Sequence, residues 1–337
     1  MQRIIQRIGK RFARRSLILM YHRVGESASD PWSLCVSPDH FAEHLEVLRK
    51  FGYPMRLQEL ALALGDGNVP HRAIALTFDD GYADNLYNAK PLLERYGIPA
   101  TVFLTTGQIA QGREFWWDEL ERLLLQPGIL PEALCLKING STHRWKLDKA
   151  TRYSDDDYRR NRHLNAWDGA FGSRHHLYYS IWQLIQPLPA DEQWVVLEEI
   201  RIWAGNELAV RPTHRPLSPE EICTLGQDNL IEVGAHTETH PFLSAHPEAF
   251  QRREIQQSKA RLENIIGYTV RGFAYPYGDY TAKTVDLIRE SGFTCACTTV
   301  ADTVWRYTDC FQMPRLAVED WDGEEFARQL VKSFGTR

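Results

Sequence analysis

Two stretches of the chain hold the residues best suited to chemistry. Residues 74–84 read IALTFDDGYAD, in which the apolar run Ile74-Ala75-Leu76 leads into Thr77-Phe78-Asp79-Asp80-Gly81. A short apolar run without helical period is the pattern of a strand buried on both faces. Two adjacent carboxylates therefore emerge where a buried strand stops and a glycine lets the backbone turn. Alone, Asp-Asp-Gly reads as an ordinary turn. A second stretch, IEVGAHTETHPF at 231–242, repeats the design: Ile231, Val233 and Ala235 precede His236, and His240 follows four residues later. That spacing is about one helical turn, so both imidazoles are expected to face one point. Two imidazoles and one carboxylate suit a catalytic zinc or similar divalent ion with one position open to water. Asp80 is the expected third ligand, which leaves Asp79 as a base.

TFDDG followed by HTxxH resembles the first two motifs of the polysaccharide deacetylases, the NodB-homology group of carbohydrate esterase family 4. The resemblance spans roughly residues 16–108 and 216–334. It implies that Asp79 is the general base and that Asp80, His236 and His240 hold one divalent metal ion, zinc by expectation. The fold it implies is an irregular (β/α)7-type barrel. The implied reaction is metal-dependent removal of an acetyl group, N- or O-linked, from a sugar of a polysaccharide or glycan precursor. Deformylation or cleavage of another C–N bond on a lipid-linked sugar or small molecule is the alternative. A non-catalytic carbohydrate-binding protein on the same fold is the second.

The chain departs from the family pattern in two places. The third motif ordinarily carries an Arg that orients the catalytic Asp, but the segment Phe273-Ala274-Tyr275-Pro276-Tyr277-Gly278 has Ala274 there. Its turn is intact, so the resemblance assigns the Tyr277 N–H to a developing oxyanion and Tyr275 to the substrate. The late Leu-x-His that supplies a general acid is absent. Tyr21-His22 resembles the early Tyr-His pair of a circularly permuted branch, which implies His22 as the acid. Arg315, in MPRLAV, is the candidate to replace the missing Arg by a two-pronged pair with Asp79, at no expected cost in stability when it is removed. Asp320-Trp321 resembles the Asp-Trp of the fourth motif, with Asp320 bracing Arg315.

Around these motifs, strand and helix signals alternate. SLILMYHRV, PATVFLTTG, RGFAYPYG and FTCACTT read as strands. The Ser37-Pro38 and Ser218-Pro219 starts read as helix caps, and Pro91 is expected to kink the helix DNLYNAKPLLERYG. Such alternation argues for parallel strands wrapped by helices. From 110 to 215 the rhythm fails, and a mostly helical, Trp-rich insertion is expected to interrupt the barrel domain of 16–337. Its tryptophans are read chiefly as core, with Trp116 and Trp117 singled out as sugar contacts because they follow a strand end.

Composition bounds the rest. Of 337 residues, 43% are hydrophobic and 25% charged, the balance of a globular protein with a sizeable core. A net charge of −5 argues against nucleic acid as a partner. Six cysteines without a Cys-x-x-Cys pair suggest core packing in a reducing compartment. The first fifteen residues, MQRIIQRIGKRFARR, set apolar residues at helical spacing among six cations. The apolar run is too short for a secretory signal or a membrane span. Two readings stand: a basic helix lying on an anionic membrane face, or a helix packed across the bottom of the barrel. The expected location is cytoplasmic, with peripheral contact at the inner face of the membrane.

Overall fold

The computed structural model describes residues 14–109, 112–227 and 230–335. These divide into two compact units: one of residues 14–26, 35–109, 217–227 and 230–335, the other of residues 27–34 and 112–216.

The first unit is built on parallel strands. In chain order they are β1 (Leu17–Tyr21), β2 (Ala73–Phe78), β3 (Ala100–Leu104), β4 (Ile231–Ala235), β5 (Gly272–Ala274), β6 (Cys295–Cys297) and β7 (Leu316–Ala317). In the sheet, β1 to β6 lie side by side in that same order and β7 returns to the far side of β1. Every pairing among them is parallel. A two-residue strand, Tyr53–Pro54, also adds to the start of β2. Residues 310–317 close the curl. The Ala296 N–H donates to the Cys310 carbonyl, and Met313 bridges to Cys297. A few residues on, Leu316 pairs with Leu19. One short segment thus joins both ends of the sheet, and Arg315 lies in it.

The helices of this unit are α1 (Pro38–Phe51), α2 (Leu57–Gly65), α3 (Lys90–Tyr96), α4 (Pro219–Gly226), α5 (Glu248–Ile266), α6 (Ala282–Glu290) and α7 (Gly323–Phe334). Their starts follow the sequence signals. Ser37 and Ser218 each accept a backbone N–H at the cap, with proline at the first turn. Pro91 does not kink a helix; it sits in the first turn of α3, and a π-helical turn, Asn85–Ala89, precedes it.

Residue parity sorts the strands' side chains into two cores. Leu17, Leu19, Tyr21, Ile74, Leu76, Phe78, Val102, Leu104, Val233, Ala235, Phe273 and Tyr275 pack in the larger one. Their strand neighbours Ile18, Ala75, Phe103, Ala274, Cys295 and Cys297 pack in the other. Gly234 is required on this second face, because a Cβ there would lie 2.3 Å from Phe103. Side chains an even number of residues beyond this face, at the carboxyl ends of the strands, inherit its direction, four beyond Ala75 and two beyond Gly234. That is the parity of Asp79 and His236.

The second unit is less helical than expected. Helices Trp116–Leu124, Asp155–Asn161, Arg174–Ile185 and Ala190–Trp203 accompany an antiparallel hairpin, Ala133–Ile138 with Ser141–Lys146. Asn139 and Gly140 turn that hairpin with φ of 50° and 74°, the positive values a two-residue Asn-Gly loop favours. Residues 27–34 also belong to this unit; there the Trp32 indole N–H donates to the Tyr178 hydroxyl at 2.7 Å.

Candidate active site

Asp79 follows β2 and is 2% exposed. Its backbone N–H still donates to the Tyr21 carbonyl, so the carboxylate is held at the last rung between β1 and β2. Arg315 meets it in a bidentate pair, Nη1 to Oδ1 and Nη2 to Oδ2, both at 2.7 Å. The guanidinium has no exposed surface, and two further donors are used: Nε to the Thr298 carbonyl at 2.9 Å and Nη1 to Thr77 Oγ1 at 3.1 Å. Burial alone would raise the Asp79 pKa. The Arg315 charge and hydrogen bonds, with His236 and His22 nearby, more than offset it and hold the carboxyl well below the usual range. Ala274 cannot make this pair, and a residue from the closing segment makes it. Because Arg315 is fully buried, its loss leaves a buried carboxylate uncompensated. The expectation that stability would be indifferent to Arg315 is therefore corrected.

Asp320 does not brace Arg315. It lies at the start of α1, where its Oδ1 accepts from the Ser37 N–H at 2.8 Å and pairs with His40 Nδ1 at 2.8 Å.

Asp80, His236 and His240 come together on the same end of the barrel, all buried, their ligand atoms within 4.8 Å of one another. Asp80 Oδ1 lies 3.6 Å from His236 Nε2 and 3.4 Å from His240 Nε2. Two ligand atoms bound at about 2.0–2.1 Å around a tetrahedral ion would sit roughly 3.3 Å apart, close to this spacing. The tautomer also fits. His236 Nδ1 is 2.8 Å from the Ala274 carbonyl, which can only accept, so Nδ1 carries the proton and Nε2 keeps its lone pair. Burial lowers the pKa of both imidazoles, and each histidine lowers the other's or is lowered by Arg315, so both are neutral as ligands must be. The donor set and its protonation fit a divalent ion of the zinc type.

The two histidines meet for a reason other than helical spacing. β4 ends at Ala235, and 236–240 is a loop in which Thr237 and His240 have φ of 65° and 59°. These left-handed residues fold the second imidazole back onto the first, with ring centroids 4.8 Å apart. Glu254, from α5, holds the loop in place: its carboxylate accepts from the Glu238 and Thr239 N–H groups at 3.0 and 2.7 Å and from Thr239 Oγ1 at 2.9 Å. Asp80 is itself left-handed, with φ of 72°. Gly81 follows at φ 81°, and a Cβ on it would lie 2.3 Å from Leu104. The glycine lets the chain turn against β3 and swing Asp80 away from Asp79. Glu254 was not singled out from the sequence, since a lone Glu on a polar helix carries no signal.

His22 follows β1 and is half-buried. Burial lowers its pKa to about 4, with Asp79 opposing and Arg315 and His236 reinforcing the shift. That the same three residues act on it places the imidazole in this site. Tyr277 stands in the Pro276–Gly278 turn with φ of 57°, its ring edge-on to His240 at 4.5 Å between centroids. Tyr275, expected at the substrate, has the opposite parity. Its ring is fully buried among Phe273 and Tyr280, and its hydroxyl donates to the Phe311 carbonyl at 2.9 Å. Trp116 and Trp117 are likewise interior to the second unit, 2% and 5% exposed. Trp117 stacks on Phe115 and Trp116 leans on Trp182. Indoles packed in this way offer no open face to a pyranose.

Curled parallel strands thus carry, at their carboxyl ends, a carboxylate–guanidinium pair beside an Asp-His-His cluster that could hold a divalent ion, the place and the groups of a barrel enzyme's site. The family model for polysaccharide deacetylase matches residues 66–129 and 197–296. The putative polysaccharide deacetylase YxkH of Bacillus subtilis is 34% identical over 130 residues, covering 37% of this chain and 45% of that protein. A poly-β-1,6-N-acetyl-D-glucosamine N-deacetylase of Staphylococcus aureus is 28% identical over 109 residues, covering 28% of this chain and 38% of that one. The chain thus matches less than half the length of these curated relatives. Among solved structures, the Streptococcus pyogenes deacetylase PplD shares the fold at a TM-score of 0.58 and 16% identity, covering 96% of this chain and 100% of that chain. IcaB from Ammonifex degensii does so at 0.58 and 20%, covering 94% and 97%. Together these matches support the polysaccharide deacetylase family, the NodB-homology group, over the two matched segments that carry Asp79, Asp80, His236 and His240.

Proposed function

We propose that the protein removes an acetyl group from an amino sugar or sugar ester of a glycan, using one divalent ion, zinc by the chemistry of the ligands, held by Asp80, His236 and His240. The observation that carries this reading is the buried Asp79–Arg315 pair beside the three-ligand cluster. Such an ion, when bound, acidifies water and polarises the acyl carbonyl.

The chain's own residues divide the remaining work. Asp79, kept ionised by Arg315, orients the attacking water and takes up its proton. Ionised Asp79 is a weak base because of that pair, so its part depends on the water being acidified. His22 is neutral at rest and half-open, so it can receive a proton in the cycle and deliver it to the departing amine or alkoxide; such a shuttle is worth about 10²–10⁴-fold. The Tyr277 N–H, in its left-handed turn, is the donor for the oxyanion, a contact worth roughly 3 kcal/mol.

A β-1,6-linked N-acetylglucosamine oligomer is the first substrate to test, since that polymer is what the Staphylococcus aureus relative is named for. Acetate release from it by protein of measured metal content supports the reading. No release from this oligomer or from other acetylated sugars, with one ion bound, refutes it in favour of a formyl-bearing substrate or a binding protein. The basic segment at residues 1–15 gives the protein its proposed peripheral contact with an anionic membrane on the cytoplasmic side; residues 1–13 lie outside the described residues. Among the described residues no helix is long and apolar enough to cross a membrane.

A further inference from the structure

His22 leaves the sheet at the point where the catalytic residues begin, and something must hold it there. Tyr21 is the last residue of β1 to pair with β2, opposite Phe78. Arg23 and Val24 pair only with Cys35 and Val36, in a separate two-stranded ladder. The backbone polar groups of 22–24 that the barrel sheet no longer pairs are taken over by side chains of 84–88. Asn85 Nδ2 donates to the His22 carbonyl at 2.8 Å. Asp84 Oδ1 accepts from the Val24 N–H at 3.2 Å while Oδ2 accepts from Arg23 Nε at 3.1 Å. Asn88 Nδ2 donates to the Val24 carbonyl at 2.7 Å. Asn85 and Asn88 fall on one side of the π-helical turn Asn85–Ala89, a rare conformation that recurs at functional sites.

Asn85 is a poor choice for stability alone. It is 1% exposed, and its Oδ1 is buried with no hydrogen-bond partner among the described residues. An amide buried with one end unsatisfied is costly where an apolar side chain of similar size would not be. What the amide adds is the bond to the His22 carbonyl and a second, from the same Nδ2 to Asp84 Oδ1 at 3.2 Å, which ties two members of the segment together.

We infer that Asp84, Asn85 and Asn88 are positioning residues for His22, a clasp that fixes the proton-donating imidazole relative to Asp79. The inference rests on the proposed role of His22 as the acid. Five, six and nine residues after Asp79, the same segment that supplies the base and a metal ligand fixes the acid. The clasp's hydrogen bonds run to residues 22–24, so its loss should appear only where a proton must be delivered.

The test uses two leaving groups. An N-acetylated sugar amide departs as an amine and needs a proton, whereas 4-nitrophenyl acetate departs as a stable phenolate and does not. In the full chain, Asn85→Ala is expected to lower kcat on the sugar amide by about 10–100-fold, with KM and the aryl ester rate within about twofold and metal content unchanged. Asn88→Ala should show the same selectivity more weakly, and Asn85→Gln, which keeps the donor, should recover part of the loss. A parallel loss on both substrates, or no loss on either, in Asn85→Ala and Asn88→Ala alike overturns the clasp. His22→Ala is the reference: if that variant loses both substrates equally, the acid assignment falls, and the clasp falls with it. Selective loss in His22→Ala without it in the Asn variants refutes the clasp alone.

Discussion

Replacing Arg315 with Met keeps most of the side chain's volume and deletes its charge. The deletion strips two 2.7 Å charge-assisted bonds from Asp79 and one donor each from the Thr298 carbonyl and Thr77 Oγ1. Neither partner can turn to water, since Arg315 is 0% and Asp79 2% exposed. Breaking a buried pair in this way costs about 3–5 kcal/mol, against about 0–1 kcal/mol for an exposed one. In a unit of this size that is a fall in Tm of about 10 °C.

The pH dependence has a definite sign. In the native protein the Asp79 pKa is depressed, so its ionisation contributes stability above the unfolded value of about 3.9 and that contribution is lost as pH falls through the folded value. Without Arg315, burial is no longer outweighed and the pKa rises. The variant's stability deficit should then be largest at neutral pH and shrink as the solution is acidified and the carboxyl takes up its proton. The acidic limb of kcat/KM should move to higher pH for the same reason. Thermal melts and kcat/KM measured from pH 4 to 8, at matched metal content, test both. An acidic limb in the same place, with a Tm unchanged at pH 7, would refute the pairing of Arg315 with Asp79 as the device that keeps the base ionised.

The metal assignment predicts about one divalent ion per purified chain, lost in Asp80→Ala and His236→Ala; elemental analysis showing full metal content in both would remove these ligands. Asp79→Asn should retain the ion, because Asp79 is outside the ligand cluster, while kcat falls by about 10²–10⁴-fold. A near-normal kcat there would mean that another group takes the water's proton. Deleting residues 1–15 should release the protein from anionic vesicles with activity on soluble substrate intact, and co-sedimentation reads it directly. Unfolding on deletion would instead make the segment a plug for the barrel.

What local sequence determined about this protein is whatever depends on neighbours along the chain. The buried strands before Asp79 and His236, the capped helices after Ser37 and Ser218, and the alternation that places these elements in a parallel barrel are all set by short-range pattern. Strand parity also reaches the site: side chains two residues beyond Ala75–Thr77 and Gly234 follow the face of Ala75 and Gly234, and Tyr275 falls on the other. The Asn139-Gly140 turn is a local hairpin signal of the same kind, which the reading of that stretch as mostly helical passed over.

Tertiary structure alone decided the partners. Asp79 and Arg315 are separated by 236 positions, and only closure of the sheet by residues 310–317 brings them together. Asp320, though adjacent in motif, is drawn to the start of α1. The two imidazoles converge through left-handed backbone at Thr237 and His240, braced by Glu254 from a different element, where spacing suggested a helical turn. Burial of Trp116 and Trp117 depends on which side chains from distant segments pack over them. Periodicity reports the face a residue takes on its own element; what that face meets is set by chain closure and packing, which local pattern does not encode.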